Sequence, residues 1–182
     1  PGPDPSRLYR ILASESRIGF SISKWRILRK EGRFRDFRGE VSIDWKSPSA
    51  SRIDVTIEAA SLDTHDRHRD ETVRSDDFLD AASHPTLRFE SRRISPLGRG
   101  LYEVAGDLTI RGVTRSVKAP VRVTPGARPA SVMRFAGSFR IRRTDFGVNG
   151  TRWSGGKAIL GDEVTIALDL VAVATTETKA SR

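Results

Sequence analysis

Cysteine is absent from all 182 residues, which excludes disulfides, thiolate metal sites and a cysteine nucleophile while leaving the compartment open. No apolar run approaches the ~18–20 residues that a membrane-crossing helix needs. Histidine occurs only three times, so candidate atoms for metal or acid–base chemistry are few. No Gly-rich phosphate loop, nucleophile elbow or HExxH motif occurs.

What is present is a globular balance of 37% hydrophobic and 30% charged residues, neither disordered nor membrane-embedded in character. The length falls in the ~100–200-residue range of one domain, in which roughly 70% of the unfolded surface can be buried. Pro1-Gly2-Pro3-Asp4-Pro5 and the polar stretch from Thr175 to Arg182 have nothing to pack. One folded unit is therefore expected over residues 7–174, with flexible ends at 1–6 and 175–182. Pro1 stands where an initiator Met would, so a removed leader stays open and localisation is not read from this end.

The periodicity is two-residue, the signature of strands with one buried face. In Met133-Arg134-Phe135-Ala136-Gly137-Ser138-Phe139-Arg140-Ile141-Arg142 the odd positions are apolar or Gly and the even ones are Arg, Ala or Ser. The same alternation runs through Ile18/Phe20/Ile22, Val41/Ile43/Trp45, Ile53/Val55/Ile57/Ala59, Leu87/Phe89, Tyr102/Val104/Gly106/Leu108/Ile110, Val117/Ala119/Val121/Val123 and Val164/Ile166/Leu168/Leu170. Tyr9 with Ile11 suggests one more strand. Turn residues at Lys46-Ser47-Pro48-Ser49, Ser95 to Gly100, Arg111 to Thr114 and Thr124-Pro125-Gly126 separate the runs, and such short spacers imply antiparallel neighbours. Thr64 to Leu79 breaks the pattern. It is rich in Asp and Arg, with Val73, Phe78 and Leu79 at roughly helical offsets, and predicts one or two short helices in the 64–80 region.

Eight or nine strands with one apolar face, and almost no helix to cover it, must stack on a second sheet or close on themselves. Closure gives an all-β antiparallel barrel, whose interior at about eight strands is filled by side chains or holds one small ligand. Gly39, Ala59, Gly106, Ala119 and Gly137 fall at inward positions. They either leave room for a ligand or relieve crowding at bends and bulges.

Several segments occur in a telling order: Gly32-Arg33-Phe34-Arg35-Asp36-Phe37-Arg38-Gly39, Ser61-Leu62-Asp63-Thr64, the stretch from Arg69 to Asp80, and His84-Pro85-Thr86-Leu87-Arg88-Phe89. Then come Gly106-Asp107-Leu108-Thr109-Ile110-Arg111-Gly112-Val113-Thr114-Arg115-Ser116-Val117, Arg143-Thr144-Asp145-Phe146-Gly147-Val148 and Gly161-Asp162-Glu163-Val164. This string resembles the YceI-like family of lipocalin-like polyisoprenoid-binding proteins, from about Tyr9 to Val173. The resemblance implies an elongated barrel of about eight strands, not an enzyme, whose internal tunnel carries or stores an isoprenoid chain of the quinone or polyprenyl type. It implies no cofactor besides that lipid and leans towards an extracytoplasmic setting. A homodimer is an expectation that rests on the resemblance alone. Where the family has an Asp-Pro-x-His-Ser-like approach to its second strand, this chain has Ala13-Ser14-Glu15-Ser16.

On that reading, the apolar parity assigns the tunnel wall to Phe20, Ile22, Val41, Ile43, Val55, Ile57, Phe89, Val104, Leu108, Val121, Phe135, Phe139, Ile166 and Leu168. Phe34, Phe37, Phe78, Phe146 and Trp153, near strand ends or in loops, are expected at the tunnel mouth. Parity alone does not separate a lined tunnel from a packed core. At ~0.8 kcal/mol per buried CH₂, a forty-carbon chain leaving water would gain about 30 kcal/mol, beyond the ~18–21 kcal/mol where affinity saturates. A prenyl lipid starts in a membrane, however, so its transfer to an apolar tunnel is nearly neutral and suits a shuttle or store.

Lys and Arg number 32 against 23 Asp and Glu, a net charge of +9. Arg88, Arg111, Arg115, Lys118, Arg122, Arg134, Arg140 and Arg142 fall at outward positions or in turns, so the exterior suits either plain solvation or transient contact with an anionic membrane. A nucleic-acid-binding barrel is the alternative reading. Against it, Phe20, Phe89, Phe135 and Phe139 share faces with aliphatics while the cations sit opposite, whereas a stacking platform interleaves the two. His65 and His68, with Asp63, Asp66 and Asp70, have the spacing of a weak metal motif, but in so polar a segment they are expected to be exposed. His84 is expected to help a turn, and Asp76, Asp77 and Asp80 to cap and pair with Arg74 and Arg69.

Overall fold

Short turns set the topology. Ile110 pairs with Val113 across a two-residue turn in which Arg111 and Gly112 both have positive φ, the mirror-image hairpin that matches strand twist. The computed structural model describes residues 6–24, 27–126, 131–152 and 160–175. In chain order the elements are β1 (Ser6–Ile11), β2 (Arg17–Lys24), β3 (Leu28–Phe34), β4 (Phe37–Asp44), β5 (Arg52–Glu58), β6 (Leu62–Asp63), α1 (Arg67–Arg74), β7 (Thr86–Gly98), β8 (Leu101–Ile110), β9 (Val113–Pro125), β10 (Val132–Arg142) and β11 (Leu160–Ala174).

The strands form an antiparallel barrel in the order β1-β4-β5-β7-β8-β9-β10-β11, closed into eight strands by pairing of β1 with β11. Closure removes the exposed edge that an open sheet of this size would present. The fifteen-residue β11 is long enough to serve two partners on one side. It pairs with β2 between Leu160 and Asp169, and with β1 between Ala172 and Ala174. Between β1 and β2 the chain steps aside in a 3-10 turn at Ala13–Glu15. There Ser16 Oγ accepts from the Val171 N–H at 2.9 Å, which holds the step in register.

The alternation predicts eight or nine strands, and every alternating run, with that of Tyr9 and Ile11, forms a strand, whereas β3 and β6 carry no such alternation. They extend the sheet beyond β2. β3 reads Leu-Arg-Lys-Glu-Gly-Arg-Phe and buries only Gly32 and Phe34, so it offers almost no apolar alternation to detect. β5 ends at Glu58, and Ala59 lies in a following 3-10 turn rather than on the strand. The 64–80 region contains the single helix α1, capped at its start by the Asp66 carboxylate, which accepts from the Arg69 N–H at 3.0 Å.

Candidate functional site

The inward faces of the strands enclose an apolar cavity of about 230 Å³. Thirteen of the fourteen residues assigned by parity line it: Phe20, Ile22, Val41, Val55, Ile57, Phe89, Val104, Leu108, Val121, Phe135, Phe139, Ile166 and Leu168. Ile43 does not. It lines a second cavity of about 40 Å³ beside Trp45. Val41, Ile53, Val104, Val121 and Phe135 line both, so these side chains divide one continuous apolar interior.

Glycines at inward positions do not leave empty space. A Cβ at Gly106 would lie 2.4 Å from the Glu90 carbonyl oxygen and 2.6 Å from the Phe89 ring. At Gly137 it would meet the Pro120 carbonyl at 2.5 Å, and at Gly39 the Asp54 carbonyl at 2.8 Å. These are sites of close strand approach. Beside Gly106 the ladder skips a residue between Ser91 and Arg93, so the bulge reading holds there. The same device recurs where the Phe20 ring covers Gly32, 2.4 Å from where a Cβ would stand. Of the small residues singled out, Ala119 alone lines the cavity.

One end of the cavity is closed by the segment that carries α1. Val73, Phe78 and Leu79 all line it from this side. Arg111 holds the segment in place, donating from Nη1 to the Phe78 carbonyl at 2.8 Å and to the Gly147 carbonyl at 3.3 Å. The His84 ring packs on Gly112 of the same turn. Phe34, Phe78 and Phe146 line the cavity and, like Phe37, are buried in the core, so they seal the interior and do not project at a rim. Phe37 does not reach the cavity lining. Trp153 lies outside the described residues.

Sequence reasoning missed Arg143, the only charged side chain among the described residues that line the cavity. Its guanidinium donates to the carbonyls of Val148 and Asn149 at 2.7 Å, Gly161 at 2.8 Å and Leu160 at 3.2 Å. Burial pushes its pKa down, and nearby Asp162 partly opposes the shift. A cation satisfied by four carbonyls presents mainly its aliphatic stem to the interior. Nothing in the pattern of a strand end signals that arrangement. Ile141 and Val164 were legible by parity and also belong to the lining.

Outside the barrel, most of the outward cations face acids. Arg88 contacts Asp54 and Glu90 at 2.8 and 2.9 Å, Arg142 contacts Asp162 at 2.8 Å, and Lys118 and Arg140 contact Glu103 and Glu163 at 3.5 Å. Arg134 lies 3.6 Å from Asp169. Asp76 and Asp77 pair with Arg152, not with Arg74 or Arg69 as expected, because the loop at Gly150 folds back onto the turn that follows α1. Asp80 faces His84 at 4.0 Å, and the His84 N–H donates to the Asp80 carbonyl at 2.8 Å, which fixes that turn.

The acids near His65 and His68 are committed to local structure. Asp70 accepts from the Thr64 N–H and hydroxyl at 2.8 and 2.7 Å, and Asp63 accepts from the His65 N–H at 3.0 Å. That N–H, with the Arg35 guanidinium, lowers the Asp63 pKa to about 2. Among the described residues, no group of three or more His, Asp or Glu is arranged to hold a metal ion.

Residues 9–172 match the model of the family described as YceI-like domain. A UPF0312 protein of Azotobacter vinelandii is 36% identical over 134 residues, covering 72% of this chain and 70% of that protein. Another, from Vibrio vulnificus, is 35% identical over 136 residues, covering 73% and 68%. Among solved structures, BcnA of Burkholderia cenocepacia matches with a TM-score of 0.80 at 31% identity, over 90% of this chain and 99% of that one. A polyisoprenoid binding domain from Saccharophagus degradans, implicated in plant cell wall breakdown, matches with a TM-score of 0.74 over 92% and 98%. At 18% identity that likeness is one of fold alone.

Proposed function

Because the chain belongs to the YceI-like family, we propose that it is a binding protein rather than an enzyme, and that it carries or stores an isoprenoid lipid in its barrel. The observation that carries this reading is the cavity itself: about 230 Å³, lined by apolar side chains from strands all around the wall and by one satisfied cation. An apolar cavity of ~150 Å³ already admits a benzene. A short prenyl stretch therefore fits the interior at rest. A longer chain requires the side chains between the two cavities to repack, and the second cavity gives it a direction in which to extend. The Saccharophagus degradans domain with this fold is described as polyisoprenoid-binding, which supports the same ligand class here.

Loading requires a source, and the β2–β3 hairpin offers a surface for it. Ile27 is 87% exposed and Leu28 46%, next to Arg29, whose exposed guanidinium is shared with Glu31 at 3.3 Å. Exposed aliphatics beside cations suit transient contact with an anionic bilayer. Pairing of most barrel cations with acids weakens the nucleic-acid alternative, since paired charges release fewer counterions on binding phosphates.

Native mass spectrometry of the purified protein, with organic extraction of anything bound, tests the reading. The expected result is an adduct of isoprenoid mass, or uptake of geranylgeraniol from vesicles that Ala119→Phe reduces. A clean apo mass together with no uptake of geranylgeraniol would overturn it.

A further inference from the structure

The apolar interior is divided unequally, into a cavity of about 230 Å³ and one of about 40 Å³. Five side chains touch both: Val41, Ile53, Val104, Val121 and Phe135. They come from β4, β5, β8, β9 and β10, five of the eight strands of the closed barrel, so they form a layer across it and not a patch on one wall. Phe135 stands at the boundary. Its partner on β11, Leu170, lines the large cavity alone, and its partner on β9, Val123, lines the small one alone.

The members of this layer differ in freedom. Val41, Ile53, Val104 and Val121 are branched at Cβ and stiff about χ1. Phe135 is the one unbranched member and the largest, and it is 5% exposed. Its ring is therefore the part of the layer able to turn aside while the strands stay in place.

Volume sets where a chain meets that ring. An apolar cavity of ~150 Å³ takes a six-carbon ring, so the large cavity holds about two five-carbon prenyl units at rest. The small cavity holds less than one. Its wall includes Asp44, Ser51 and the half-exposed Trp45, which mark the end of the apolar interior on that side.

We propose that Phe135 is a specificity-determining residue for the length of the prenyl chain. Chains of about two units bind with the layer closed, and longer ones bind only after the Phe135 ring has turned aside, a penalty incurred once. The proposal rests on the isoprenoid-binding reading and adds to it a preference in length.

The test measures the partition of geraniol, farnesol and geranylgeraniol, of two, three and four prenyl units, between the protein and phosphatidylcholine vesicles. A bilayer solvates each added unit as well as an apolar cavity does, so the protein-to-vesicle ratio stays flat with length while every unit finds room. For the wild type the ratio should fall about ten-fold from geraniol to farnesol, the size of a modest repacking cost, and change little from there to geranylgeraniol. Phe135→Leu should raise the farnesol and geranylgeraniol ratios towards that of geraniol and leave geraniol unchanged. Phe139→Leu is the control, because Phe139 lines the large cavity alone, and it should leave the step in place. Unfolding midpoints check that both variants fold. Should Phe135→Leu not fold, Phe135→Met keeps the bulk on a more flexible side chain and should lessen the step in the same way. A wild-type ratio that stays flat through the series, a step that survives the change at Phe135, or a step that Phe139→Leu removes as well would overturn the length selector while the isoprenoid reading stands. No uptake of any of the three prenols would instead sink that reading itself.

Discussion

Arg111 donates to the main-chain carbonyl of Phe78 across 33 residues of sequence, joining the β8–β9 turn to the segment that closes the cavity. The residue has a φ of 51°, a conformation that costs a side-chain-bearing residue roughly 1–2 kcal/mol. Arg111→Ala keeps that strain and loses the bonds to Phe78 and Gly147, so it should destabilise the protein by about 1–3 kcal/mol. Arg111→Gly loses the same bonds but relieves the strain, and should fall about 1 kcal/mol closer to wild type. Urea unfolding ranks the two variants. Amide exchange at residues 78–81 should quicken in both, and a variant that melted earlier with no change there would show that the tie does not hold the segment.

Gly106 and Gly147 separate two reasons for glycine. At Gly106 a Cβ would collide with the Glu90 carbonyl, which cannot move without its strand, and with the Phe89 ring, which can. At Gly147 the φ is +72° but nothing lies within 4 Å. Gly147→Ala should therefore cost only the backbone term of about 1–2 kcal/mol. Gly106→Ala should cost about 3 kcal/mol or more, the upper end for overpacking a tight site. Adding Phe89→Leu to Gly106→Ala should recover part of the loss, and full recovery would show that the carbonyl contact relaxes freely. Gly106→Leu is for this reason unsuitable as a cavity-filling change that spares the fold.

Alternation revealed the barrel because the buried and solvated faces of each strand differ, and for the same reason it found thirteen lining residues. It failed where that contrast vanishes. β3 lies beyond the barrel proper with mostly polar residues on both faces, and β6 is two residues long. Arg143 enters the lining through hydrogen bonds to carbonyls at chain positions 148–161, a tertiary arrangement with no local trace. The pairing of β9 with β10 stops at Val121, next to Pro120, and although a proline within a strand removes one donor, only the register shows which neighbour loses it.

Acid should act through Asp63. Hydrogen bonds from the His65 N–H and Arg35 favour its carboxylate and hold its pKa at about 2, below the ordinary 3.8. A group whose pKa is lowered by folding contributes stability in full above its unfolded value and loses it as pH falls through the folded value. The contribution of Asp63 is thus present above about pH 4 and fades towards pH 2. Asp63→Asn should melt earlier than wild type at pH 6, and the gap should close between pH 4 and pH 2. A gap that stayed constant over that window would show that charge on Asp63 contributes nothing to folding. High salt should narrow the gap at pH 6, because Asp63 faces Arg33 and Arg35, both partly exposed.

Leu108 tests whether the cavity is where a lipid goes. It is 6% exposed and lines the cavity from β8, so Leu108→Ala should cost about 2–5 kcal/mol and enlarge the space. A ligand that binds only the folded state adds about 2.7 kcal/mol at a hundred-fold excess over its Kd. Geranylgeraniol should therefore raise the unfolding midpoint of the wild type, and should raise that of Leu108→Ala by more, because the chain also fills the volume the leucine left. A lipid bound on the outer surface would raise both midpoints equally. Equal shifts would move the ligand out of the barrel, and a larger shift in the variant would put its chain beside Leu108.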